Sequence, residues 1–173
     1  MVRSRPMSQP LWAPWRMEYV LGKKSAGACV FCVAEEASAP ELEERLVVHT
    51  APRAIVMMNR YPFAAGHLLI IPRRHVSSLE DLEDGEHDAL FRLARDSVVR
   101  LKRAVRCEAV NVGLNLGPVA GAGIAEHLHV HVVPRWSGDT NFMPVVADTR
   151  VIPQALTDTR RHLAPFFADL QQC

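Results

Sequence analysis

The residues best suited to chemistry stand together in Glu126-His-Leu-His-Val-His-Val-Val-Pro-Arg-Trp136. His127, His129 and His131 alternate with Leu128, Val130 and Val132. A strand turns successive side chains to opposite faces, so the three imidazoles share one face, about 6.6 Å apart along the chain. Three like groups this close resist joint protonation. One or more stays neutral near physiological pH, as a nucleophile, a base or a metal ligand. The preceding loop, Gly117-Pro-Val-Ala-Gly-Ala-Gly123, carries Gly117, Gly121 and Gly123, whose backbone N–H groups can converge on an anion. Asn115 can donate from its amide. Together these parts suit a phosphorus centre attacked by an imidazole, with donors waiting for the developing charge. A second group is Cys29-Val-Phe-Cys32, with the two-residue gap of a zinc knuckle. Four cysteines in 173 residues are too few for a disulfide scaffold, so this pair points to metal or redox chemistry.

The elements that must position these residues follow from periodicity. Residues 45–49 and 54–58 are apolar runs separated by Thr50-Ala51-Pro52-Arg53 and read as a β-hairpin. Residues 67–71 form a short apolar run closed by Pro72, a buried strand. Residues 84–105 form the strongest helix, with Leu90, Leu93, Ala94, Val98, Leu101 and Val105 on one stripe and Asp84 as N-cap. Residues 108–116 alternate, with Val110, Val112, Leu114 and Leu116 opposite Asn111, Gly113 and Asn115: a half-buried strand with a polar face. The histidine strand covers about 128–133. Pro153 suits the start of a final helix that Pro165 kinks or divides. Strands, helix, strands, helix is the order of an α+β fold with a mainly antiparallel sheet, one long helix and a C-terminal helix. Residues 1–27, rich in Pro and Trp, read as an irregular segment, and 28–173 as one domain.

Composition narrows the function classes. The length matches one domain of ~150 residues. Such a chain buries roughly 70% of its unfolded surface without disulfides. A net charge of +1 argues against a protein that coats nucleic acid or an acidic membrane. No apolar run approaches the ~20 residues of a membrane span, and the start lacks the apolar stretch of a signal peptide, so a cytoplasmic location is expected. Eight histidines stand beside two tyrosines; His49, His87 and His162 carry no argument for function.

His-Leu-His-Val-His-Val-Val resembles the motif of the histidine triad (HIT) family of nucleotide hydrolases and transferases. The resemblance extends over Asn59-Arg-Tyr-Pro-Phe-Ala-Ala-Gly-His-Leu-Leu-Ile-Ile-Pro72. Leu11-Trp-Ala-Pro-Trp-Arg16, Cys29-x-x-Cys32 and Trp136-Ser-Gly-Asp-Thr-Asn-Phe-Met-Pro144 resemble a bacterial branch. That branch is similar to fragile-histidine-triad hydrolases and to diadenosine tetraphosphate phosphorylases. The resemblance implies a HIT-like fold, a homodimer, and cleavage of dinucleoside polyphosphates or related nucleoside 5′-phosphoric anhydrides. It implies His129 as nucleophile through a nucleotidyl–histidine intermediate, His131 as phosphate donor, His127 beside them, and His67 as a supporting histidine. Asn59 matches a ribose-contacting position and Asn115 a phosphate-contacting one. Gly121 and Gly123 fall in the phosphate loop, and Trp136 is a candidate for stacking on a base. The resemblance further implies a structural Zn2+ held by Cys29, Cys32, His75 and His127. Ala122-Gly123-Ile124 departs from members that carry Ser, Thr or Gln for the leaving group, which weakens the phosphorylase reading. The alternatives are a phosphorylase with phosphate as acceptor and a non-catalytic purine nucleotide sensor. A nucleic-acid repair role is disfavoured by the charge and by the lack of a basic, aromatic-laced arm.

Overall fold

A computed structural model describes residues 29–139 and 155–170. The elements in chain order are α1 (Ala39–Glu44), β1 (Val47–Thr50), β2 (Ala54–Met58), β3 (Leu68–Pro72), α2 (Asp84–Val105), β4 (Ala109–Leu114), a 3-10 turn (Pro118–Ala120), β5 (Val130–Arg135) and α3 (Leu156–Phe167). The strands form one five-stranded sheet in the order β1-β2-β3-β5-β4, every neighbouring pair antiparallel. The fold is α+β, as the order of elements predicts.

Strands β2 and β3 are buried at every position, which explains why both are continuous apolar runs rather than alternating ones. One face of the sheet presents Ala54, Val56, Met58, Leu68, Ile70, Val130 and Val132 to α2 and α3, where Leu90, Leu93, Ala94, Leu101, Leu163 and Phe167 complete the main core. The other face carries a smaller cluster of Val47, Ile55, Met57, Leu69 and Ile71 around Phe31. The registers Leu69↔His131 and Gly113↔His131 put the His131 side chain on this second face.

Helix α2 occupies the predicted residues, but its N-cap is Glu83 rather than Asp84. The Glu86 carboxylate reaches back to accept from Glu83 N–H at 3.0 Å, so the capping contact selects the residue one position earlier. Its buried stripe is Leu90, Leu93, Ala94, Ser97, Leu101 and Ala104, with Val98 and Val105 only partly buried. At its other end, His162 of α3 donates from Nε2 to Ala104 O at 2.9 Å and satisfies a terminal carbonyl.

Three more expectations are corrected, and one element is added. Helix α1 was not foreseen. Strand β5 begins at Val130, not Leu128: Leu128 N–H bonds Val76 O instead of entering the ladder. Strand β4 keeps only part of its predicted buried face: Val110 and Leu114 pack partly against the main core, but Val112 is 51% exposed and Leu116, beyond the strand's end, 46%; among the described residues β4 pairs with β5 alone. Pro165 does not divide α3. It sits in the last turn, where the helix runs on only to Phe167 and Ala168 N–H closes onto Pro165 O. Pro153, Trp12, Trp15, Arg16 and the boundary at residue 27 lie outside the described residues. No described helix is long and apolar enough to cross a membrane.

Candidate active site

Each histidine of the row is oriented by a different acceptor or donor. A carbonyl oxygen can only accept, so a ring nitrogen bonded to one must carry a proton. His127 lies fully buried, with Nε2 at 2.9 Å from Pro72 O. Its proton therefore sits on Nε2, and Nδ1 keeps a lone pair. His129 has Nδ1 at 2.8 Å from His127 O. Its proton sits on Nδ1, and Nε2 keeps the lone pair. Burial pushes the pKa of both His127 and His129 below the usual histidine range, which favours the neutral rings that this assignment needs.

His131 is oriented through His67. Gly66, at φ +84°, turns the chain just before β3 and delivers the His67 ring to the histidine face; at this φ a side chain is strained. Phe63 N–H donates to His67 Nδ1 at 3.1 Å, which makes Nδ1 an acceptor. His67 Nε2–H then donates to His131 Nδ1 at 3.0 Å. The neutral His131 ring accordingly carries its proton on Nε2, as a donor. Its ring stands edge-on to His129 at 5.0 Å between centroids, closer than the strand repeat suggests.

The remaining predicted residues divide. His67 is buried in the row itself, so its supporting position is bonded and not merely adjacent. Asn59 is held in a local turn: its Oδ1 accepts from Tyr61 N–H at 2.9 Å, and Nδ2 lies 3.4 Å from His67 Nδ1. Asn115 follows β4 on the edge next to β5. In the glycine loop, Gly121 N–H closes onto Pro118 O at 3.0 Å and Ala122 N–H onto Gly117 O at 3.3 Å, so these two amides stabilise the turn. Gly123 is exposed and Trp136 half-buried. Arg135 is engaged by Asp139, at 2.7 Å from Nη2 to Oδ1, and by Asn111 at 3.1 Å.

The sequence does not single out two rings that the fold adds. Phe31, between the cysteines, is 7% exposed and lies 5.0 Å from His129 and 5.8 Å from His127. Phe63 stacks on His67 at 4.9 Å and 27°. A signal for Phe63 existed in its place inside the turn that leads to His67. Phe31 offered only its position in Cys-x-x-Cys.

Cys29, Cys32, His75 and His127 gather at the start of the histidine row, their ligand atoms within 4.8 Å of one another. His127 Nδ1 lies 3.4 Å from Cys29 Sγ and 3.6 Å from Cys32 Sγ, and His75 Nδ1 lies 3.3 Å from Cys32 Sγ. A tetrahedral ion with sulfur at ~2.3 Å and nitrogen at ~2.05 Å sets its ligands about 3.3–3.8 Å apart. The donor set of two thiols and two imidazoles suits a four-ligand metal site, and these three separations match that spacing. Burial, then the neighbouring Cys29, hold the Cys32 thiol above its ordinary pKa, so binding an ion would displace protons.

A HIT domain model matches residues 40–138. The AP-4-A phosphorylase of Mycobacterium tuberculosis is 42% identical over 172 residues, covering 96% of this chain and 88% of that protein. Among solved structures, a hypothetical histidine triad nucleotide-binding protein from Sulfolobus tokodaii aligns with a TM-score of 0.63 at 21% identity, covering 83% of this chain and 94% of that one. A Zn-bound histidine triad family protein from Mycobacterium smegmatis aligns with a TM-score of 0.61 at 23% identity, covering 82% and 94%. The two structural likenesses are of fold, and the sequence match carries the assignment further: the chain belongs to the HIT family.

Proposed function

We propose that this chain cleaves dinucleoside polyphosphates, or related nucleoside 5′-phosphoric anhydrides, through a nucleotidyl intermediate on His129. The observation that carries the reading is the hydrogen bond from His129 Nδ1 to the His127 carbonyl, which leaves Nε2 with its lone pair. Nε2 attacks the α-phosphorus as the bond to the leaving phosphate chain breaks, and that oxygen departs with the electron pair. The His127 carbonyl stabilises the cation formed on the ring. His131 Nε2–H donates to a non-bridging oxygen as charge builds there. Water or phosphate then attacks the same phosphorus and the P–N bond breaks. Asn59, Asn115, Gly123 and Trp136 are assigned to nucleotide and phosphate binding, with His67 in support; Gly121, whose N–H closes the turn onto Pro118 O, shapes the loop.

A second reading has its own support. The Mycobacterium tuberculosis relative is named a phosphorylase and matches nearly the whole chain, which favours phosphate as the acceptor despite the Ala122-Gly123-Ile124 sequence. Product analysis of diadenosine tetraphosphate cleavage with and without phosphate separates the two. Phosphate-dependent ADP formation supports the phosphorylase, and AMP plus ATP from water supports the hydrolase. Loss of neither substrate nor label under both conditions overturns the enzymatic reading.

We assign the four-residue cluster to zinc, a choice supported by its two thiols and two imidazoles. Cys29, Cys32, His75 and His127 would hold the ion and so fasten residues 29–32 to the histidine row, with no chemical step passing through it. Elemental analysis of unchelated protein is expected to give one equivalent per chain, and a content well below that contradicts the assignment. A reducing cytoplasm suits the free thiols. Among the described residues β4 has no partner on its outer edge and Val112 is half exposed, which favours a homodimer, to be tested by sedimentation.

A further inference from the structure

Residues 29–32 do more than supply two ligands. Phe31 N–H donates to Cys29 Sγ at 3.4 Å, and Cys32 N–H closes onto Cys29 O at 3.1 Å. Arg45 grips the same turn from the end of α1, donating to Val30 O at 2.9 Å and Cys32 O at 2.8 Å. The turn carrying Phe31 is therefore held by the Cys29 thiol and carbonyl on one side and a guanidinium on the other. Its ring meets His127 edge-on, at 83° and 5.8 Å, and leans over His129 at 56° and 5.0 Å. His127 closes the circuit: its side chain belongs to the thiol cluster, and its carbonyl holds the Nδ1 proton of His129.

We infer that Phe31 is a positioning residue for His129, a packed wedge through which the Cys29–Cys32 turn fixes the orientation of the imidazole. The wedge stops the ring from rotating about its last bond. Rotation would break the bond to His127 O and turn the lone pair away from the reacting phosphorus. The inference rests on the reading of His129 as nucleophile. It goes further by making the cysteine turn part of the apparatus that aims it. A misplacement of about 1 Å costs on the order of a hundredfold in rate, so a ring released from one wall should show its effect in kcat.

The test uses full-length protein with its native metal content, diadenosine tetraphosphate as substrate, and three variants: Phe31→Ala, Phe31→Leu and His129→Ala. Expected for Phe31→Ala is a fall in kcat of about ten- to a hundredfold, with little change in KM and undiminished metal content. Phe31→Leu keeps apolar volume against the ring and should recover most of the rate. Histidine ¹⁵N spectra, with the His129 signals assigned by their loss in His129→Ala, should show one Nδ1–H tautomer in the native protein and in Phe31→Leu. In Phe31→Ala they should show a mixture. An unchanged kcat in Phe31→Ala beside an inactive His129→Ala overturns this inference and leaves the nucleophile standing. A raised KM with unchanged kcat, or a loss of rate that merely tracks loss of metal, overturns it too. Full turnover by His129→Ala removes the nucleophile reading and this inference with it.

Discussion

The two faces of the sheet are built from the same strands and do different work. Along β3 and β5, Leu68, Ile70, Val130 and Val132 pack on α2 and α3 as an apolar layer. The residues between them, Leu69 and His131, face a thinner cluster around Phe31 with imidazoles at its border. The helix face buries area and supplies stability. The histidine face buries polar rings, which lowers the pKa of His129, and accepts that cost because each ring is held by a defined bond: His127 to Pro72 O, His129 to His127 O and His131 to His67. The lesson is that a strand can deliver stability and chemistry at once when alternate residues answer to separate layers. Damage to one layer should then be separable from damage to the other.

The largest expected effect lies on the histidine face. His129→Ala should lower kcat by at least about a thousandfold, since a covalent path is lost outright. Its unfolding midpoint should stay close to native, which steady-state kinetics and thermal melts check together. The converse substitution is Leu101→Ala on α2, a fully buried side chain of the main core. It should cost about 2–5 kcal/mol in denaturant unfolding, with kcat per folded molecule nearly unchanged. A large fall in kcat for this variant would show that the two layers are not independent.

The smallest effect sits at the edge of the helix layer. Arg74, with Nη2 at 2.6 Å from the Glu86 carboxylate, holds Glu86 at a pKa of about 2, well below the usual carboxylate range. A carboxylate with a lowered folded pKa contributes stability that is fully present above its ordinary pKa of 4.5 and is lost as pH falls through about 2. Glu86→Gln should therefore be less stable than the native chain at neutral pH, by no more than about 1 kcal/mol for a pair whose Arg74 side stands in solvent. The gap should close as the pH approaches 2, near the folded pKa. Urea midpoints measured across that range test the sign; a gap that widens on acidification would refute it.

How much of this was legible in the sequence depends on what each signal physically reports. The long helix was legible because its apolar stripe answers to one buried face. Helix α1 was not, because none of its residues is buried. With no stripe to read, its only marks were Ser38 as N-cap and Pro40 in the first turn. The histidine alternation located the site but not the strand, since an extended chain keeps its period of two whether or not it is paired. Hence His127 and His129 lie ahead of the ladder and are held by Pro72 O and His127 O instead. The alternation of β4 reads true at Val110 and Leu114, which pack partly on the core, but not at Val112, which among the described residues has no layer to cover it. The gathering of Cys29, Cys32, His75 and His127 came from family resemblance; spacing alone could not join residues so far apart in the chain. The contact of Phe31 with His129 is tertiary and left no local trace.

The central claim is a covalent bond between His129 Nε2 and the α-phosphorus. The most direct measurement is single-turnover reaction of excess enzyme with α-labelled diadenosine tetraphosphate, quenched in alkali and mapped by peptide mass. The account predicts a nucleotidyl group on the peptide containing His129, formed and lost at rates that support turnover and absent from His129→Ala. Turnover with no adduct at His129, accompanied by inverted configuration at the α-phosphorus, would contradict it.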